Sequence, residues 1–147
     1  YIYKDKESIN NKLTAGPIWD FNHGFGNCDY YKAWETVGWN ISYTYNDMDQ
    51  RAFWWLKLWN DDNFQEMIKD RYKLLRESTL STNNINTLID QYVFKLGTSV
   101  NKNFTKWPIL GEYIWPNKQV FDTYQEEIIY LKTWINNRLT WMDSELN

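Results

Sequence analysis

Asp20 and Asn22 carry the densest chemical signal in the chain. They lie in Gly16-Pro17-Ile18-Trp19-Asp20-Phe21-Asn22-His23-Gly24-Phe25-Gly26-Asn27, where an apolar segment delivers one carboxylate into a glycine-rich turn. On an extended backbone, residues two apart point to the same side. Asp20 and Asn22 would then offer two hard oxygen ligands together. Such a pair suits Mg2+, which takes one or two carboxylates and completes its shell with water and phosphate oxygens. The same residues also fit the ordinary use of Asp before glycine-rich sequence, capping a turn through its own backbone. Spacing leaves both open. His23 stands beside them as the only histidine. Imidazole can act as a general base near neutral pH, but no nucleophile or partner is visible in the sequence, which favours a solvated loop histidine.

Other acids read as helix caps. Asp47 and Asp49, and the run Asn60-Asp61-Asp62-Asn63, lack the glycine at position six and glutamate at position twelve of a calcium loop. They stand where Asp and Asn cap helices. Cys28 is the single cysteine, so neither an internal disulfide nor a thiolate metal cluster is available. The sequons Asn40-Ile41-Ser42 and Asn103-Phe104-Thr105 are of a kind that arises by chance in an Asn-rich chain.

Composition narrows the function classes. A net charge of −3 with 24% charged residues leaves no polybasic face for nucleic acid. No apolar run is long enough to span a bilayer. The 147 residues suit one compact domain or part of one, and the opening Tyr1 suggests that something upstream was removed or never included. Aromatic residues reach 19%, with 10 Trp and 11 Tyr, and their helical spacing favours core packing over ligand stacking.

The elements that would position Asp20 read in three parts: a hairpin over 1–19, a long loop over 20–48, and a helical bundle over 49–147. Tyr1-Ile2-Tyr3 alternates as a strand, and a second strand over about 12–19 is interrupted at Gly16-Pro17. The loop is rich in Gly, Asn and Tyr without a helical period, and long ordered loops are often functional. About four helices follow. One spans about 50–60, capped by Asp49, with Ala52, Phe53, Leu56 and Trp59 on a stripe. A second spans about 62–78, capped by Asp61 or Asp62, with Phe64, Met67, Ile68, Tyr72 and Leu75 inward. A third spans about 84–104 through Ile85, Leu88, Ile89, Tyr92, Leu96, Val100 and Phe104, with a bend or close contact at Gly97. The last spans about 117–143, with Val120, Tyr124, Ile128, Leu131, Ile135, Leu139 and Met142 in register; Glu126, Lys132, Asn136 and Asp143 lie opposite. That helix should be the packing spine.

In order, these motifs resemble the CotH family of kinase-like proteins. Gly16-Pro17-Ile18-Trp19-Asp20-Phe21-Asn22 with Gly24-Phe25-Gly26-Asn27 is similar to its Gly-Pro-x-Trp-Asp-Phe-Asp…Gly-Asn signature. Arg51 to Asn60 resembles its Trp-rich helix. Asp61-Asp62-Asn63-Phe64 with Arg71-Tyr72-Lys73-Leu74-Leu75-Arg76 resembles the following acidic and basic segment. Leu131-Lys132-Thr133-Trp134-Ile135, Arg138 and Trp141-Met142-Asp143 resemble its closing helix.

The resemblance implies a mainly α fold like the C-terminal lobe of an atypical protein kinase. It implies Asp20 as the metal-holding aspartate, with Mg2+ and ATP as cofactors and a protein as substrate. Asn22 departs from the family's usual Asp and brings no charge to the site. No catalytic residue is assignable: the resemblance puts the phosphate-contacting lysine in a nucleotide-holding lobe upstream and the catalytic aspartate on the loop just before the opening strand, so that lobe would be the chain's partner and the 147 residues alone should be inactive. An extracytoplasmic, spore or cell-surface location is implied likewise. Two competing readings are an aromatic-rich binding module for glycan or protein, using Tyr30, Tyr31, Trp34 and Trp39 with Trp107 and Trp115, and a degenerate kinase-like scaffold, to which Asn22 alone points. A flat exposed aromatic row would favour the module; burial under the last helix would remove it.

Overall fold

The computed structural model describes residues 2–39, 41 and 53–146, apart from the Phe53 side chain. Asp47, Asp49, Ala52 and the Asn40–Ser42 sequon therefore lie outside the described residues, as does the remainder of the 20–48 loop beyond residue 41.

The chain is mainly helical, with a small antiparallel sheet at its start. β1 (Ile2–Lys4) pairs with β2 (Leu13–Ala15), Tyr3 opposite Thr14. The second strand stops at Ala15 rather than reaching Trp19. Gly16 turns the backbone to a φ of 132°, and Pro17 has no amide to continue the ladder. The alternation that would align Asp20 with Asn22 is thus absent. Asp20 itself adopts a φ of 61°, a left-handed conformation that Asp tolerates better than most residues.

Five helices follow among the described residues, not four: α1 (Phe53–Trp59), α2 (Asp62–Arg76), α3 (Thr82–Leu96), α4 (Ser99–Lys106) and α5 (Tyr124–Leu146). Gly97 divides what the sequence presents as one helix, closing α3 with a φ of 47°. Ordinary local chemistry starts the others. Asp61 accepts the Phe64 amide at 2.9 Å to cap α2, and Ser81 accepts that of Asn84 to cap α3. α5 begins at Tyr124, seven residues later than expected. Thr123 and Glu126 form a reciprocal capping box there: the Thr123 amide donates to Oε2 at 2.9 Å, and the Glu126 amide donates to Oγ1 at 3.2 Å. Val120 precedes the helix and is exposed.

α5 is the spine the periodicity predicts, contacted by α2 and α3. Ile135, Leu139 and Leu146 are buried on it, with Tyr72 of α2. The expected inward faces are narrower than the stripes suggest: Met67 is 66% exposed, and Leu56, Leu88, Tyr92 and Leu96 also face solvent. α3 instead turns Ile85, Ile89 and Val93 inward, a single i, i+4, i+8 row. The polar side of α5 is not a solvated face either. Lys132 reaches Asp90 of α3 at 2.6 Å, and Asp143 reaches Arg76 of α2.

Candidate functional site

The loop bearing Asp20 is held by the last helix. Two tight turns shape its start, Gly24 bonding back to the Phe21 carbonyl at 2.9 Å and Asn27 to that of Gly24 at 3.1 Å. The Asn27 side chain donates to the Asn22 carbonyl at 2.9 Å, which fixes the loop around Asn22. Gly26 then lies flat on α5 at a φ of 82°, and its carbonyl accepts from the Tyr130 hydroxyl at 3.1 Å. A Cβ there would collide with the Trp134 ring and approach the Tyr130 hydroxyl within 2.7 Å, so both the space and the backbone angle require glycine.

One and two turns along α5, the clamp continues. Trp134 Nε1 donates to the Trp34 carbonyl at 2.8 Å. Arg138 donates through Nη1 to the carbonyls of Gly38 at 2.7 Å and Thr36 at 3.2 Å, and its guanidinium lies over the rings of Trp39 and Trp141. Planar guanidinium suits this double task of bonding in plane and stacking on its faces. A second support comes from the segment before α5: the Asp29 amide donates to the Pro116 carbonyl at 2.9 Å, and the Tyr113 hydroxyl to Asp29 Oδ2 at 2.7 Å. Cys28 is 2% exposed at the centre of these contacts, a packed small residue.

On this support Asp20 is exposed, with no hydrogen-bond partner among the described residues. Asn22 is exposed two residues on. Near Asp20, the half-buried hydroxyl of Tyr30 meets His23 Nδ1 at 2.9 Å, the rings edge to face. His23 is therefore half-buried and partnered, not the solvated histidine expected. Burial raises the Tyr30 pKa above the ordinary phenol value, with Cys28, Asp20 and Asp29 acting in the same direction. The raised value keeps the Tyr30 hydroxyl protonated, and the direction of its bond with Nδ1 follows the imidazole tautomer.

The aromatic residues named for a binding module do not form a flat exposed row. Tyr31 is exposed, but Tyr30, Trp34 and Trp39 are half-buried. Trp39 packs on Trp59 and Trp141 with centroids at 5.3 and 4.8 Å, and Lys118 covers Trp34. Trp115, 70% exposed, stacks beside Tyr30.

A family model described as CotH kinase protein matches residues 1–142. The chain belongs to this family. Neither the curated proteins nor the solved structures compared with it gave a match. The family's recurring positions can now be read in physical terms. Gly26, Trp134, Arg138, Trp141, Tyr72, Arg76 and Asp143 hold the Asp20 loop and the helices together, while Asp20 and Asn22 are exposed. Sequence reasoning placed Trp134 and Arg138 in a motif without finding their role. An Arg among apolar helix positions was the available signal.

Proposed function

We propose that this chain is the helical, metal-holding half of an ATP- and Mg2+-dependent protein phosphotransferase, with a fold like the C-terminal lobe of an atypical kinase. Membership of the CotH kinase family carries this reading, supported by an exposed, unpartnered Asp20 on a loop clamped at Gly26. Among the described residues, no three His, Cys, Asp or Glu side chains gather into a metal cage. Asp20 with the Asn22 amide oxygen instead fits Mg2+ as it is used with nucleotides, where phosphate oxygens and water complete the shell. Bound there, Mg2+ would neutralise charge on the transferring phosphoryl group. Asp20 would hold the metal, Asn22 in the same loop would offer a neutral oxygen, and the clamp from α5 keeps that loop in place.

The same reading assigns the exposed apolar residues of the hairpin and its exit, Ile2, Leu13, Ile18 and Trp19, to contact with a nucleotide-holding lobe. A two-stranded hairpin is marginal by itself, and further protein over it would complete its packing. The reading is tested by calorimetric titration of ATP with Mg2+ into the complete protein. Binding should require the metal and be lost in Asp20→Ala; unchanged affinity in that variant would overturn the assignment. Residues 1–147 alone should transfer no phosphate.

A further inference from the structure

Glu127 is a half-buried carboxylate that the scaffold does not use. Its neighbour Glu126 makes the capping box with Thr123, so Glu127 is not needed to start α5. Among the described residues it has no ion pair and no side-chain hydrogen bond. A carboxylate in the first turn of a helix is ordinarily favoured in its charged form. Here burial opposes that and pushes the Glu127 carboxyl up. Burying a carboxylate without a partner is costly.

This carboxylate borders a groove of 270 Å3 between α5 and the turn of residues 21–27. Phe21, Phe25, Ile128 and Leu131 give it apolar walls, and Asn22 and Asn27 contribute amide groups. Phe21 and Phe25 are both exposed, while Phe25 is braced edge-on against Trp134 at 6.1 Å. Among the described residues, no lysine or arginine lines the groove. The combination is one anion, two phenyl rings and apolar walls, in a space large enough for one long side chain.

We infer that this groove binds a basic side chain, arginine in particular, presented by a polypeptide partner. The guanidinium pairs with Glu127, its face can lie on a phenyl ring, and its methylene stem covers the apolar wall. Lysine would satisfy the charge but not the planar stacking. The groove contains Asn22 and adjoins the Asp20 loop, so a bound polypeptide would run beside the metal-holding residues. The inference goes beyond the phosphotransferase reading and does not require it, because the binding needs neither nucleotide nor metal.

The test is an NMR titration of the isotope-labelled chain, without ATP or Mg2+, with Nα-acetyl-arginine N-methylamide. Its neutral isostere, Nα-acetyl-citrulline N-methylamide, is the matched control. The arginine compound should shift the amides of Asn22, Phe25, Asn27, Ile128 and Leu131 saturably, with a Kd on the order of 1 mM for so small a contact. Citrulline, and arginine against Glu127→Gln, should each bind about tenfold more weakly. Glu145→Gln, which removes an exposed charge from the same helix, should leave the Kd unchanged. Glu127→Gln retains size and shape, and its unbound spectrum reports whether it is folded. Equal affinity for arginine and citrulline, equal affinity in Glu127→Gln, or shifts elsewhere on the chain would overturn the proposal. Loss of Mg2+–ATP binding in Asp20→Ala bears on the other reading alone.

Discussion

Arg76 of α2 and Asp143 of α5 meet as a bidentate pair, Nε to Oδ1 at 2.8 Å and Nη2 to Oδ2 at 2.9 Å. The Tyr72 hydroxyl donates to the same Oδ1 at 2.7 Å, so one carboxylate joins two helices through three hydrogen bonds. Sharing Asp143 between a guanidinium and a phenol binds the start of the helical bundle to its spine. That spine in turn holds the Asp20 loop.

The pair makes stability depend on pH at the acid end. The hydrogen bond from Arg76 lowers the Asp143 pKa below its ordinary 3.8, with Tyr72 and the Arg76 charge acting in the same direction. A depressed folded-state pKa contributes stability that is fully present above the unfolded value. It is lost as pH falls through 3.8 toward the lower folded value. Asp143→Asn should cost about 2 kcal/mol at neutral pH, by the usual worth of charged hydrogen bonds, and flatten that acid limb. Urea midpoints from pH 7 down to 2.5 measure both; a variant curve parallel to the parent would remove the pair from the account.

Tyr72 gives the opposite limb. Burial, then its bond to Asp143, raises the phenol above its ordinary 10.0. A raised folded-state pKa stabilises below the unfolded value and is lost as pH rises past about 10. Tyr72→Phe should lower stability by about 1 kcal/mol at pH 7 and remove this alkaline loss. Thermal melts at pH 7 and 10.5 would expose a mistaken assignment if the two proteins lost stability equally.

Gly26 tests the clamp directly. An alanine Cβ there meets the Trp134 ring and the Tyr130 hydroxyl at a φ of 82°. Overpacking and a left-handed non-glycine residue together should destabilise Gly26→Ala by about 2–4 kcal/mol. The Tyr130 and Trp134 bonds to the loop should open with it. Faster amide exchange over residues 24–38, with α2 and α3 unchanged, is the expected pattern. Uniform loss of protection across all helices would argue against a local clamp.

The features legible in the sequence were those set by local pattern. The stripe Ile128, Leu131, Ile135, Leu139 named the spine, and Asp61 or Asp62 was named as the cap of α2, which Asp61 proves to be, because both signals arise within one helix. The motif order named the family. What escaped was set by contacts far apart in the chain. Asp143 and Lys132 read only as lying opposite the apolar stripe, because periodicity assigns one buried face per helix, whereas α5 is surrounded by α2, α3 and the loop. The break at Gly97 was visible as a weak point, but its dihedral was not. Tyr30 could not be matched to His23 by spacing, since an irregular turn brings them together. Glu126 and Glu127 are alike in sequence, but the fold gives Glu126 the capping box and leaves Glu127 half-buried.

Arg138 is where side-chain shape matters beyond charge. It bonds the Thr36 and Gly38 carbonyls and stacks on Trp39 and Trp141. Arg138→Lys retains the charge but loses the planar fork and most of the stacking. A cost of about 1–2 kcal/mol is expected from the lost charged hydrogen bonds. A red shift in tryptophan emission should accompany it as Trp39 and Trp141 gain water. Unaltered emission and stability in the lysine variant would mean that charge alone suffices.

Asp20 separates holding a metal from holding a fold. Its φ of 61° costs an L-residue about 1 kcal/mol, which Asn bears as readily as Asp and Gly does not incur. Its carboxylate makes no hydrogen bond among the described residues, so the fold does not depend on its charge. Asp20→Asn should therefore melt within about 0.5 kcal/mol of the parent, and Asp20→Gly should match or exceed it by about 0.5–1 kcal/mol. In the complete protein both should lose Mg2+-dependent ATP binding by at least about tenfold, because an amide or a hydrogen replaces the carboxylate proposed to hold the metal. The informative comparison is between the two columns of data. Unimpaired stability with lost binding assigns Asp20 to the metal; lost stability in Asp20→Asn would assign it to the turn instead.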